Sequence, residues 1–299
     1  IEHPVIRNSK NVTIENVKML GTSSADGALD IDNGKPYYVS AKTKGELSNA
    51  NIIIENCEIE SEGQVAISIS GVEGLRFTNN IVRANHIPST EAAKENGAAI
   101  KLITSKDISI TRNNIFSGPA TALWLQNNSN VLLMNNVLWM PNSYNSEIAG
   151  FRLFNRNEAG VKDASGYGIY YNTLYIKEGS NTNPTQCFVN MAEKRNNLGA
   201  GSGSFGNIRM KYNNFYTHNT NLTTYFLYNG VVPVVDKNNF YVTGSSINPS
   251  TDALLTLPGD YRVENVVNIC GATGETEFVI TEGAEYLNIG LRIQKGTAV

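Results

Sequence analysis

A short segment recurs along this chain, and a repeat constrains the fold more than any single motif could. It reads NVTIENVKM at Asn11–Met19, NIIIENCEI at Asn51–Ile59, GLRFTNNIV at Gly74–Val82, DISITRNNIF at Asp107–Phe116 and NVLLMNNVL at Asn130–Leu138. Looser copies follow at Tyr167–Leu174, Asn207–Phe215 and Val234–Phe240. Each copy alternates apolar residues with spacers, as a half-buried strand does. An Asn or Asn pair follows, then a second apolar stretch. Asn tolerates the left-handed backbone region better than most residues, so it marks a tight bend between two strands. Stacked copies of such an Asn can hydrogen-bond as a ladder.

A second element precedes most copies: Ala28–Ile31, Ala66–Ile69, Ala99–Leu102, Ala122–Leu125 and Gly150–Leu153, with weaker versions at Cys187–Asn190 and Thr224–Leu227. Together the elements make one coil of three short strands. Equivalent residues in the tightest coils, Ile52 and Leu75 or Ile108 and Val131, are 23 positions apart. One coil cannot bury its apolar side chains alone, but stacked neighbours close a core between them. The expected fold is all-β: a single-stranded right-handed parallel β-helix of eight to nine coils with loop insertions. Adjacent strands would lie about 4.8 Å apart. An antiparallel sandwich also has many short strands, but it predicts hairpin turns rather than the same Asn bend in every unit.

The β-helix is expected over residues 1–264 and a C-terminal cap over 265–299, where Thr276–Ile280 and Tyr286–Ile293 break the repeat. The first coil begins almost at once, so it needs cover from a preceding domain or from the Asn33–Ala50 loop. Other insertions fall at Ala84–Asn96, Met140–Ile148, Asn155–Gly166, Lys177–Thr185 and Met191–Gly206, and Thr90–Glu95 suggests one or two helical turns. Only 17% of the 299 residues are charged and the net charge is −3, which does not ask for nucleic acid as a partner. No apolar run reaches membrane-spanning length. Cys57, Cys187 and Cys270 show no metal-ligand spacing and read as buried structural residues. His3, His86 and His218 form no ligand spacing either.

The pattern at Ala99–Ile115, an apolar pair followed by the Asn-Asn bend, resembles the pectate-lyase-like β-helix superfamily, and the likeness covers nearly the whole chain. That superfamily holds lyases, hydrolases, phage tailspikes and adhesins, so fold alone does not choose a function. The resemblance implies an extracellular or cell-surface protein, with polymers bound on the outer face of the upstream strand. The motif set of polygalacturonase-like hydrolases is incomplete here: there is no Asp-Asp pair and no Gly-His element.

On that upstream strand Leu29, Ile67, Ile100, Leu123 and Phe151 point inward, so Asp30, Ser68, Lys101, Trp124 and Arg152 form an outward row. A second outward row holds Asp32, Ser70, Ile103, Gln126 and Phe154. An exposed Trp124 would offer a stacking shelf for a sugar ring, with Ser68, Gln126 and Phe154 as further contacts. Lys101 and Arg152, roughly 10 Å apart across it, suit an acidic polysaccharide. In the lyase reading, which similar β-helix lyases suggest, Lys101 is the base and Arg152 neutralises the uronate carboxylate. Asp26, Asp30 and Asp32 would then supply oxygens to a Ca²⁺ ion. The plain reading keeps Lys101 and Arg152 as solvated charges, Trp124 as packing beneath the Ala84–Asn96 or Met140–Ile148 loop, and the Asp group as turn chemistry. The sequence favours a monomeric polysaccharide-binding protein, with a uronate lyase and a structural stalk, adhesin or tailspike-like fragment as alternatives.

Overall fold

A computed structural model describes residues 1–22, 27–32, 47–86, 97–119, 121–140, 149–154, 165–176, 187–191, 206–217, 226–228, 234–236 and 239–242. The expected cap at 265–299, the helical turns at Thr90–Glu95 and Cys270 lie outside these residues. The first coil holds β1 (Val5–Arg7), β2 (Lys10–Glu15) and β3 (Lys18–Gly21), and the second β4 (Leu29–Asp32), β5 (Asn49–Glu55) and β6 (Glu58–Ser61). Next come β7 (Val65–Ser70), β8 (Val72–Thr78) and β9 (Ile81–Ala84), then β10 (Ala98–Ile103), β11 (Lys106–Thr111) and β12 (Asn114–Ser117). The fifth coil is β13 (Thr121–Gln126), β14 (Ser129–Met134) and β15 (Val137–Met140), and the sixth β16 (Ala149–Phe154), β17 (Ser165–Tyr170) and β18 (Thr173–Ile176). Last are β19 (Cys187–Met191), β20 (Gly206–Lys211), β21 (Asn214–Thr217), β22 (Phe226–Tyr228), β23 (Val234–Asp236) and β24 (Asn239–Val242).

Every third strand joins the same sheet, giving three sheets of eight strands each. Sheet 1 runs from β1 to β22, sheet 2 from β2 to β23 and sheet 3 from β3 to β24. Pairing between these strands is parallel, which excludes the antiparallel sandwich. The expected register holds: Ile52 lies opposite Leu75, and Ile108 opposite Val131. Inward residues stack into one continuous core of aliphatic and aromatic side chains. At the first coil that core is less covered. Val12 and Ile14 are half-buried, while their partners Ile52 and Ile54 are fully buried. Among the described residues no helix is long and apolar enough to cross a membrane.

The pair of residues at the bend from sheet 2 to sheet 3 divides its work. The second residue of the pair is buried and forms a ladder through Asn80, Asn113, Asn136, Asn172 and Asn213. Asn136 shows the pattern. Its Oδ1 accepts from the Asn113 backbone N–H at 3.0 Å and from Asn113 Nδ2 at 2.9 Å. Its Nδ2 donates to the Ile110 carbonyl at 2.8 Å and to Asn172 Oδ1 at 3.0 Å. Each amide thus satisfies backbone groups that the bend removes from the sheet ladders. In the second coil Cys57 takes the same place. It is a buried free thiol whose backbone N–H donates to Asn80 Oδ1 at 2.9 Å. Burial pushes its thiol pKa up, although backbone hydrogen bonds pull the other way.

The first residue of the pair points outward at positive φ, in Asn16, Asn56, Asn79 and Asn135. A second left-handed column sits near the start of the first seven sheet 2 strands, filled by Asn11, Asn51, Gly74, Asp107, Asn130, Gly166 and Asn207. Only Asn, Asp and Gly occur there, the residues that adopt this conformation most readily. The bend column is less uniform: Arg112, Tyr171 and Tyr212 occupy it at φ of 58°, 56° and 60°. A bulky side chain in this region costs about 1–2 kcal/mol.

Candidate functional site

The long segments between strands are not spread evenly around the solenoid. The bend from sheet 2 to sheet 3 takes two residues in all eight coils. Residues 33–48, 85–97, 141–148, 155–164, 177–186, 192–205 and 218–225 all enter or leave sheet 1. Sheet 1 is therefore bordered on both sides by inserted chain, and in repeat proteins insertions gathered on one face commonly mark the binding face.

The outward row of sheet 1 runs in register through Asp30, Ser68, Lys101, Trp124, Arg152 and Asn190. At its centre the indole of Trp124 lies between two cations. Lys101 Nζ is 4.6 Å from the ring centroid and Arg152 Cζ is 5.2 Å from it. The expected shelf is corrected on one point: Trp124 is fully buried, so its ring is not free to stack on a sugar. Lys101 is 8% exposed and Arg152 is 1% exposed, so neither is a solvated surface charge. All positions of β10 and β13 are buried on both faces, a pattern typical of parallel sheets covered on both sides. Removing a cation from water is costly, and a desolvated cation–ring contact returns about 2 kcal/mol of that cost.

The remaining predicted site residues fall around this centre. Ser68 is half-buried beside Lys101. Gln126 is buried, next to Ile103 in the second outward row. Phe154 pairs with Gln126 through its backbone in β16, and its side chain lies outside the described residues. Of the proposed cation ligands, Asp26 lies outside the described residues. Asp32 is held in a two-pronged contact by Arg7, with Nε to Oδ1 at 2.7 Å and Nη2 to Oδ2 at 3.1 Å. Asp30 Oδ2 is 3.4 Å from His3 Nε2, so His3 is not incidental to this edge. Among the described residues no three His, Cys, Asp or Glu side chains gather as a metal set. Asn190, 7% exposed and in register with Arg152, extends the polar row one coil beyond the expected residues.

Sheet 3 carries a feature that the reading of sheet 1 missed. Phe116, Trp139, Tyr175, Tyr216 and Tyr241 are register partners in five successive coils, with Phe116 and Trp139 on the outward side. Phe116 and Trp139 pack edge-on at 5.0 Å. The signal was present in the sequence, because each aromatic follows the ladder position by three residues. Beside this row, where sheet 2 bends into sheet 3, a groove of about 570 Å³ is lined by outward amides, Glu58 and Arg112, with Ile81 and Val137 among its apolar residues. Burial disfavours the charged form of Glu58, but hydrogen bonds from Arg83 and Lys18 outweigh it and hold the carboxyl pKa down.

Residues 5–140 match the family model described as a right handed beta helix region. The three parallel sheets carry the same architecture on through β24. The described residues form a right-handed parallel β-helix. No curated protein and no solved structure gave a match to this β-helix.

Proposed function

We propose that this β-helix is an extracellular or cell-surface protein that binds an acidic polysaccharide along sheet 1 as a monomer, without cleaving it. The observation that carries this reading is the gathering of the long insertions at the borders of sheet 1, whose outward row holds two cations in fixed positions. A polymer lying along the stack would meet half-buried Ser68 first and then Lys101. In this arrangement Trp124 positions the cations rather than touching sugar. Lys101, at 8% exposure the less enclosed of the two cations, is the one that meets the polymer's anionic groups, and Arg152, at 1%, stays beneath the surface.

Binding is favoured over β-elimination by the same geometry. A uronate's acidic C–H and its carboxylate are on adjacent carbons, so base and neutralising cation must converge within a few ångströms. Lys101 and Arg152 stand on strands either side of Trp124, with the indole between them.

The test is titration of the purified protein with polygalacturonate, alginate and hyaluronan at low and high salt. Binding is expected for at least one polymer, weakened by salt and weakened about tenfold by Lys101→Gln. Failure of all three to bind, or indifference to both Lys101→Gln and Arg152→Lys, would remove this reading. Growth of near-ultraviolet absorbance from unsaturated uronate ends would replace it with the lyase.

A further inference from the structure

We propose that the groove where sheet 2 bends into sheet 3 is a second binding site, one that takes a neutral oligosaccharide and is independent of sheet 1. The argument begins with the two left-handed columns. At the strand entrance the column uses only Asn, Asp and Gly, as the backbone prefers. At the bend the same preference is overridden three times, by Arg112, Tyr171 and Tyr212. Large side chains retained where the backbone disfavours them point to a role for the side chain itself.

Their placement supplies that role. Tyr171 and Tyr212 are 53% and 39% exposed, among the most exposed large hydrophobic residues of the described chain. Their rings stack at 5.1 Å with planes 10° apart. Tyr171 and Tyr212 follow Asn135 in the same bend column, one and two coils further along the stack. In the other direction the column continues as Asn135, Arg112 and Asn79, which line the groove. An aromatic face at one end of a row of carboxamides and a guanidinium suits a pyranose chain. The C–H face of a sugar packs on tyrosine, and its hydroxyls pair with groups that both donate and accept. Glu58, the carboxylate of the groove, is already engaged by Arg83 and Lys18, which leaves amides as the main recognition groups.

The experiment is calorimetric titration of the whole chain with cellohexaose, xylohexaose and mannohexaose, with oligogalacturonate as an acidic comparator. Tyr171→Asn and Arg112→Asn install the residue that four other coils carry at this position, so both variants are expected to keep or raise the melting temperature. Binding of one neutral hexasaccharide, weakened about tenfold by Tyr171→Asn and unchanged by Lys101→Gln, is the expected result. Absence of binding by all three, or binding that survives both Asn variants, overturns the proposal. Loss on Lys101→Gln but not on Tyr171→Asn would also overturn it, by assigning the sugar to sheet 1 and leaving the reading of that sheet intact.

Discussion

Sheets 1 and 2 are built from the same alternation of inward and outward residues, yet their outward charges live in different surroundings. On sheet 2 the outward side chains face water, and they pair across neighbouring strands: Arg76 donates to Glu55 at 2.8 Å and Lys106 to Glu73 at 3.0 Å. Such pairs are exposed, salt-screened and worth little. On sheet 1 the central coils bury Lys101 and Arg152 against Trp124. The connections of the two sheets differ as well. Insertions border sheet 1, whereas the bend that ends sheet 2 is two residues long in every coil.

The sharpest way to break this contrast is to remove the indole. Trp124→Ala is expected to cost about 3–5 kcal/mol in denaturant unfolding, the scale of a large core truncation, while Arg76→Ala costs less than about 1 kcal/mol. Equal losses would erase the distinction between the two faces. Next in size is the buried amide column. Asn136→Ala strands the Asn113 N–H and the Ile110 carbonyl and should cost about 3 kcal/mol. Asn135→Gly, one residue earlier and outward at positive φ, should leave the unfolding midpoint nearly unchanged.

A smaller effect comes from Tyr167, an inward residue of sheet 2. Burial raises its phenol pKa. The unfolded phenol titrates near pH 10 (about the free value). Above that pH the unfolded state releases a proton that the folded state keeps. The contribution is therefore intact below about pH 10 and declines as pH rises toward the folded value. Melting at about pH 8 and pH 11 should show a smaller alkaline drop for Tyr167→Phe than for the parent. The least effect is expected at Cys57: maleimide labelling read by peptide mass should miss it in the folded protein and reach it in denaturant.

Much of this was legible because a parallel solenoid writes its register into the sequence. The match of Leu75 to Ile52 and of Trp124 to both Lys101 and Arg152 follows from aligning the repeats, since each coil repeats the phase of the last. The choice between an exposed and a packed Trp124 was left open by the sequence. A period of two tells which side of a sheet a residue takes, and says nothing of whether that side is covered. The two jobs of the Asn pair were also merged in the sequence, because bend and ladder use the same residue type. Tyr171 and Tyr212 interrupt that type, and the interruption identifies the column as more than a turn. The aromatic row through Phe116 and Trp139 is written in the sequence as well, three residues after the ladder asparagines Asn113 and Asn136.

The asparagine column has one more consequence. A coil paired one residue out of step would turn its amide to solvent and orphan the backbone groups of two neighbours. The column therefore serves as a length standard. Chain can be added freely at the borders of sheet 1, and coils here differ widely in length for that reason, but each must return to the bend in phase. New loops can be tried on one side of the molecule while the opposite corner checks the count, so variation in the insertions need not disturb the stack that carries them.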